Sequence, residues 1–536
     1  MKNMKSIKFI LLGLAMVTMF ASCKKYLEDA YLDPNRPTSP NVQTAWGPIA
    51  NNWARGVFFD SRFIGAYTQN FVNAGVNSVW DRMGWDLNIS NGTAGGELWR
   101  QHYWQVGTTL KYITEAGKES QNWDYVGAAY AMFAYSWQTA GDQYGELIVS
   151  QSYDAPRLTF DFESQLEAYK VAAQYADSAI KYLQITGTKV TSTSLMPGDA
   201  WMYNGRQDRW LRFAYGVKAR HFHRYSRKST GYSADSVIKY VDLAMQSAAD
   251  DAIFKFAGGI ADQSNFYGQL RGNAVNFRQS TFIVNLMNGA PGTPFATVAD
   301  PRAGTLLWPS QDGIYRGVDP VGGENTTVPT TQRVPNPYGI IALPGVITIP
   351  TQDTGRFIYR NTAPLPVMTY TEMQFLKAEA AFIKGDRGVA LEAYRNGING
   401  HFNMIDQNFP ATTADGLAKR HTALTRVAYL ANPLVVPTSS ANLTLAMIMN
   451  QKYIALYFHG FVETWVDLRR YNYGGTAYPS FVPPTNVNLF PDNNNKLANR
   501  MRPRMQVEFQ WNAEALRVIG GLEIDYHTKP VWFQIP

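Results

Sequence analysis

The chain has 536 residues, a formal net charge of +7, 17% charged and 14% aromatic residues, and one cysteine. The basic excess is small and contains no five-residue basic cluster, so a nucleic-acid partner is not expected. A single cysteine cannot form an internal disulfide, and beyond the leader no apolar run reaches the eighteen residues of a membrane-spanning helix.

The first 22 residues read as a bacterial secretory leader. Lys2, Lys5 and Lys8 form a basic start, Phe9 to Phe20 an uncharged apolar run, and Ala21 and Ser22 a small-residue cleavage region. Phe20-Ala21-Ser22-Cys23 resembles the lipobox of bacterial lipoproteins, in which the cysteine is acylated and becomes the mature N-terminus. Acyl chains contribute about 0.8 kcal/mol per buried CH₂, enough for several to hold a protein on a membrane. Residues 23–40, with Pro34, Pro37 and Pro40, read as a lipidated tether.

Residues 41–536 read as one body. A helix is expected over 41–70, then a loop over 75–96 and a helix over 97–116. Residues 124–139 form a helix of small and aromatic residues that should stop at Gly141-Asp142. In 163–183 the apolar positions Leu166, Tyr169, Ala173, Ala176, Ile180 and Leu183 make one helical face. Helices follow at 207–225 and 234–249. Residues 252–368 are rich in Gly, Pro, Asn and Thr and read as long loops on a scaffold, with minor β structure and a small hairpin near Ile340–Thr351. Helices return at 369–384 and 387–402, where Ala393 and Gly397 let helix axes approach, and at 442–459 and 460–471. Pairing 124–139 with 163–183, 207–225 with 234–249, 369–384 with 387–402 and 442–459 with 460–471 gives about four tetratricopeptide-like units. The expected class is mostly α, with a large loop-rich insertion.

Several stretches together resemble the SusD/RagB family of outer-membrane nutrient-binding lipoproteins of Bacteroidetes. They are the leader with YLDPNRPTSP after it; Gly141-Asp142 with Tyr144 and Glu146; Asp300-Pro301-Arg302; PVMTYTEMQFLKAEA from Pro366 to Ala380; QKYIALY from Gln451 to Tyr457; and Glu463, Trp465, Asp467, Arg469 and Arg470. The resemblance implies a helical-repeat fold seated on a SusC-like TonB-dependent barrel and facing the cell exterior. It implies a protein that is not an enzyme, that captures an oligosaccharide (or, as a second class, a peptide) and delivers it to the barrel.

The residues themselves offer little catalytic chemistry. His102, His221, His223, His401, His421, His459 and His527 are scattered without metal-ligand spacing, and no cofactor motif is present. Acylation of Cys23 would remove the one thiol nucleophile. Glu463 and Asp467 share a helix face and so could bring two carboxylates together as a glycosidase requires, but Arg469 and Arg470 follow them, which suits a structural ion network; Glu372 and Glu379 read the same way. Sugar rings are bound by aromatic platforms with polar edges beside them. That mixture occurs in Asn73–Asp86, giving Trp80, Trp85 and Asp81 as candidate ligand contacts, and in Trp308–Tyr338, giving Trp308, Tyr315 and Tyr338. Asn265, Tyr267 and Arg271 lie in the same loop territory. The competing classes are a surface glycan hydrolase, which needs two convergent carboxylates in an open cleft, and a repeat scaffold lipoprotein that binds no ligand.

Overall fold

The structure is a computed structural model that describes residues 40–73, 81, 83–84, 95–154, 156–185, 198–341, 355–411, 419–485 and 488–536. The leader, Cys23, Trp80, Trp85 and most of the expected hairpin at 340–351 lie outside the described residues. Eleven helices form the frame: α1 Val42–Tyr67, α2 Gly107–Glu119, α3 Trp123–Tyr144, α4 Gln165–Leu183, α5 Gln207–His223, α6 Ala234–Leu243, α7 Thr281–Asn288, α8 Tyr370–Lys384, α9 Arg387–Asn408, α10 Leu445–Ala455 and α11 Phe461–Arg470.

Local chemistry sets the helix ends. Asn41, Ser164, Ser280, Thr369, Asp386 and Thr444 each accept a backbone N–H of the first turn through the side chain, satisfying donors the helix cannot satisfy itself. Helix α3 runs three residues past the expected stop at Gly141. It ends where Gly145 turns to φ +82°, a conformation that costs glycine least. Gly141 stays within the helix and lets Tyr169 approach closely, since a Cβ there would lie 3.2 Å from that ring. Conversely α6 ends at Leu243, short of the expected 249, and α9 continues to Asn408.

The helices stack in sequence, with α3 against α4, α5 against α6 and α8 against α9 as expected, and with α2 also packed on α3. Gly397 serves the α8–α9 contact, since a Cβ there would lie 2.9 Å from the Phe375 ring. The last pair behaves differently. α10 packs on α8 and α9, whereas α11 lies on α1 and α3; the chain changes direction between them at Phe458, which holds φ +64°. Helix α3 is buried around almost its whole circumference, which its run of Ala and Gly permits.

Much of the tryptophan is core. Trp46 stacks on Trp201 at 6.1 Å and meets Trp210 edge-on at 5.6 Å, and Trp53, Trp137 and Trp465 are also buried. The β structure is small: β1 Phe71–Asn73 pairs antiparallel with β3 Phe277–Gln279, and β2 Ala252–Phe254 with β4 Leu365–Met368.

A buried ion network joins the helices. Arg224, just beyond α5, donates to both carboxylate oxygens of Asp142 on α3 at 2.9 and 2.8 Å and also contacts Glu463 on α11. Arg220 makes a two-point contact with Glu372 at 2.6 and 2.7 Å. Arg470 does the same with Glu379 at 2.7 and 3.0 Å and reaches Asp467 at 2.6 Å; Lys452 meets Asp467 at 2.7 Å. Glu463 and Asp467 are therefore framework residues, held below a few per cent exposure by cations on neighbouring elements. The two arginines beside Glu463 hold its carboxyl well below the usual carboxylate range, against the opposing effect of burial.

Candidate functional site

The β1–β3 pair leads directly into the loop-rich half. After Gln279, Ser280 caps α7, and its hydroxyl also donates to the Gln69 carbonyl beside β1. Val318 pairs with this edge in parallel fashion: Thr281 N donates to Val318 O at 3.0 Å and Val318 N to Gln279 O at 2.9 Å. The Gln279 side chain gathers the next loop. Its Nε2 donates to the carbonyls of Trp308 (2.8 Å) and Arg316 (2.7 Å), and its Oε1 accepts from Trp308 N at 2.9 Å.

A cleft of about 310 Å³ opens where this edge meets Ser480, Val482–Thr485 and Asn488. Phe282 and Asn285 of α7 line one side and Asp319–Val321 another, and Gln69 also lines it. Gln69 donates to Val482 O at 2.6 Å. Asp319 is occupied by its own turn, accepting from Val321 N and Gly322 N. The hydroxyl of Ser480 is buried without a hydrogen-bond partner. Apart from the turn-bound Asp319, the lining is amide and hydroxyl groups among prolines, valines and the Phe282 ring, suited to an uncharged polar ligand. Sequence reasoning passed over Asn285, Ser480 and Asn488. Their signal is faint: Asn285 falls in the loop-rich stretch 252–368, and Ser480 and Asn488 lie in a segment marked only by its prolines and asparagines.

Of the six candidate contacts, four fall within the described residues, and two of those are turned inward. Asp81 is 5% exposed and accepts from Phe490 N at 2.6 Å, tying its segment to the 490s loop. Tyr338 is 1% exposed and its hydroxyl donates to Tyr267 O at 2.9 Å. In this structure both are loop anchors, because a buried polar group must find a partner and these have found backbone. Trp308 is half-buried. Its Nε1 donates to Pro337 O at 2.8 Å and the Arg356 guanidinium stacks 3.8 Å above the ring, while the void beside it, about 10 Å³, has room for a single water. Tyr315 is half-buried against the core, one residue from Arg316, which pairs with Asp312 at 2.7 and 2.8 Å. Gln279, on the strand that leads into α7, holds the main chain of Trp308 and of Arg316, the neighbour of Tyr315. Asn265, Tyr267 and Arg271 are likewise engaged with backbone carbonyls.

No group of three or more His, Cys, Asp or Glu suited to a metal occurs among the described residues, and no described helix is long and apolar enough to cross a membrane.

Stacked helix pairs, with a cleft between α7 and two neighbouring loop segments, define a tetratricopeptide-like repeat protein. Over residues 48–502 the chain matches the SusD-like family described as starch-binding associating with outer membrane, and it belongs to that SusD/RagB family. Similar solved structures have the same fold. A SusD/RagB family protein from Bacteroides thetaiotaomicron is 23% identical, with TM-score 0.62 over 93% of this chain and 99% of that one. A SusD homologue from Bacteroides fragilis is 16% identical, with TM-score 0.66 over 91% and 99%. A SusD homologue from Flavobacterium johnsoniae described as chitin-binding is 16% identical, with TM-score 0.62 over 92% and 98%. No curated protein matches the chain by sequence.

Proposed function

We propose that this protein is a non-enzymatic outer-membrane lipoprotein that captures an oligosaccharide and delivers it to a SusC-like TonB-dependent transporter. The observation that carries this reading is the cleft between α7, Asp319–Val321 and the segment holding Ser480, Val482–Thr485 and Asn488, which offers amide and hydroxyl groups to a ligand. Family membership supports glycan capture at the outer membrane, and the chitin-binding description of one structural relative makes amino-sugar polymers a natural first ligand class. In this reading Cys23 carries the lipid anchor, residues 23–40 are the tether, the body faces the exterior, and Trp80, Trp85, Trp308 and Tyr315 are the candidate aromatic platforms. A peptide is the second ligand class.

The test is isothermal titration against neutral glycans, chitin oligomers and peptides, using wild type with Asn285→Ala, Asn488→Ala and Trp80→Ala. A neutral glycan should bind, and at least one cleft variant and Trp80→Ala should weaken it about tenfold. If purified protein cleaves the glycan, the hydrolase reading replaces this one; if nothing in the panel binds, the scaffold reading does. Recovery of a large barrel with the solubilised, tagged protein tests the transport half.

A further inference from the structure

A second concave surface lies in a part of the molecule that the proposed cleft does not use. It is a groove of about 530 Å³ between residues 99–111, residues 148–154 with Arg157 and Phe160, and Arg504, Val507 and Glu508, well within the size range of small-ligand sites. Its construction is specific. Asp60 of α1 accepts from Leu98 N at 2.9 Å and Glu97 N at 3.2 Å, fixing the turn before Trp99. From there the chain passes through a π-helical turn, Gln101–Gln105, an irregularity often found at functional sites. The turn sets Trp99 and Tyr103 as floor, their rings 4.8 Å apart, and leaves Trp104 at the edge, 63% exposed.

The edge is cationic. Arg100, Lys111, Arg157 and Arg504 line the groove against two carboxylates, Asp154 and Glu508. Glu508 is turned inward, accepting from Trp99 Nε1 and Asn512 Nδ2 at 3.0 Å each. Asp154 pairs with Arg157 at 3.2 Å, Lys111 with Glu115 at 3.4 Å and Arg100 with Glu97 at 3.7 Å. The Asp154–Arg157 and Lys111–Glu115 pairs are exposed and worth little, whereas Glu97 is buried beneath Arg100. Arg504 has no carboxylate partner among the described residues; its Nη2 donates to the neutral amide of Gln506, and its Nε, like that of Arg100, is buried without a hydrogen-bond acceptor. An exposed indole beside guanidinium groups that lack full pairing offers one surface to a ring's C–H face and another to a carboxylate.

We propose that this groove is a second binding site, for an acidic oligosaccharide of the uronic-acid class, with Trp104 stacking on a sugar ring and Arg504 holding its carboxylate. It goes beyond the cleft reading, because it concerns other residues and a ligand of different charge.

The probe is tetragalacturonate, titrated into the full-length protein at low and moderate salt, with cellotetraose as the neutral comparator and an aspartate-rich peptide as the acidic one. Tetragalacturonate should bind, weaken with salt, and lose about tenfold in affinity in Trp104→Ala and in Arg504→Gln, while Asn285→Ala leaves it unchanged. Trp104 is exposed, so its variant folds; intact thermal unfolding of Arg504→Gln checks the other. The proposal is overturned if tetragalacturonate does not bind, if cellotetraose or the peptide binds as tightly, or if Trp104→Ala has no effect. Loss of tetragalacturonate binding in Asn285→Ala alone would assign the acid to the cleft and overturn the groove. Failure of neutral glycans to bind with tetragalacturonate binding intact would sink only the cleft reading.

Discussion

Arg224 and Asp142 form a two-point ion pair between the end of α5 and the last turn of α3, both side chains about 1% exposed. Removing one partner of a buried pair leaves the other charge desolvated, at a cost of about 3–5 kcal/mol. Asp142→Asn should lower the unfolding free energy by about that amount in urea. Glu115→Gln, which breaks an exposed pair with Lys111, should cost under about 1 kcal/mol. Equal losses in the two variants would show that burial does not set the worth of these pairs.

Gly289 closes α7 at φ +64°, and a Cβ there would lie 2.5 Å from the backbone of Val298. Neither element has a flexible side chain to move aside. Gly289→Ala should therefore destabilise by about 2 kcal/mol from conformation and crowding together. Because α7 carries Asn285, glycan affinity at the cleft should fall as well; unchanged melting temperature and affinity would refute the strain argument.

His102 is fully buried between Ser136 and Trp137, its Nδ1 2.8 Å from Ser136 Oγ. Burial pulls its pKa down to about 3, below the ordinary value of ~6.5 expected in the unfolded chain. The unfolded state then binds the extra proton first, so this residue's contribution is complete above pH ~6.5 and is lost as pH falls toward 3, at about 1.4 kcal/mol per unit. Comparing His102→Asn with wild type by denaturant titration at pH 7 and pH 5, the stability gap should narrow by about 2 kcal/mol at the lower pH. A constant gap would mean that His102 titrates normally.

Tyr338 separates loop anchoring from ligand contact. Tyr338→Phe removes a hydroxyl that donates to Tyr267 O and leaves a buried carbonyl short of a donor, worth about 1–3 kcal/mol. Thermal stability should fall while the affinity of any glycan that binds the cleft stays within about twofold. A large affinity loss without destabilisation would return Tyr338 to the list of ligand contacts.

The scaffold was legible in the sequence because its signals are local. Apolar spacing in Leu166–Leu183 and the caps at Ser164, Thr369 and Asp386 each act within one or two turns. The ion network was legible too, since acids and arginines recur on predicted buried faces: Glu372, Glu379, Glu463 and Asp467 each found a cation. The motif residues that carry the family resemblance are mostly this framework, and so report the fold more than the ligand. The cleft was not legible. Gln69, Asn285, Asp319, Ser480 and Asn488 come from four separated segments, and nothing local marks an asparagine that faces a cleft. The aromatic rule marked Trp308 and Tyr338 alike and could not separate the buried, backbone-bonded Tyr338 from the half-buried Trp308, because an aromatic with a polar tip serves a loop anchor and a sugar platform equally well.

Gln279 holds the Trp308–Arg316 loop through main-chain atoms alone: the N–H and carbonyl of Trp308 and the carbonyl of Arg316. Main-chain groups are the same whatever side chains the loop carries. The clasp therefore imposes no requirement on residues 309–315, and loops of different composition can be exchanged on one frame without renegotiating the attachment. Diversification of what such a protein recognises needs only new loop side chains, with the frame inherited unchanged.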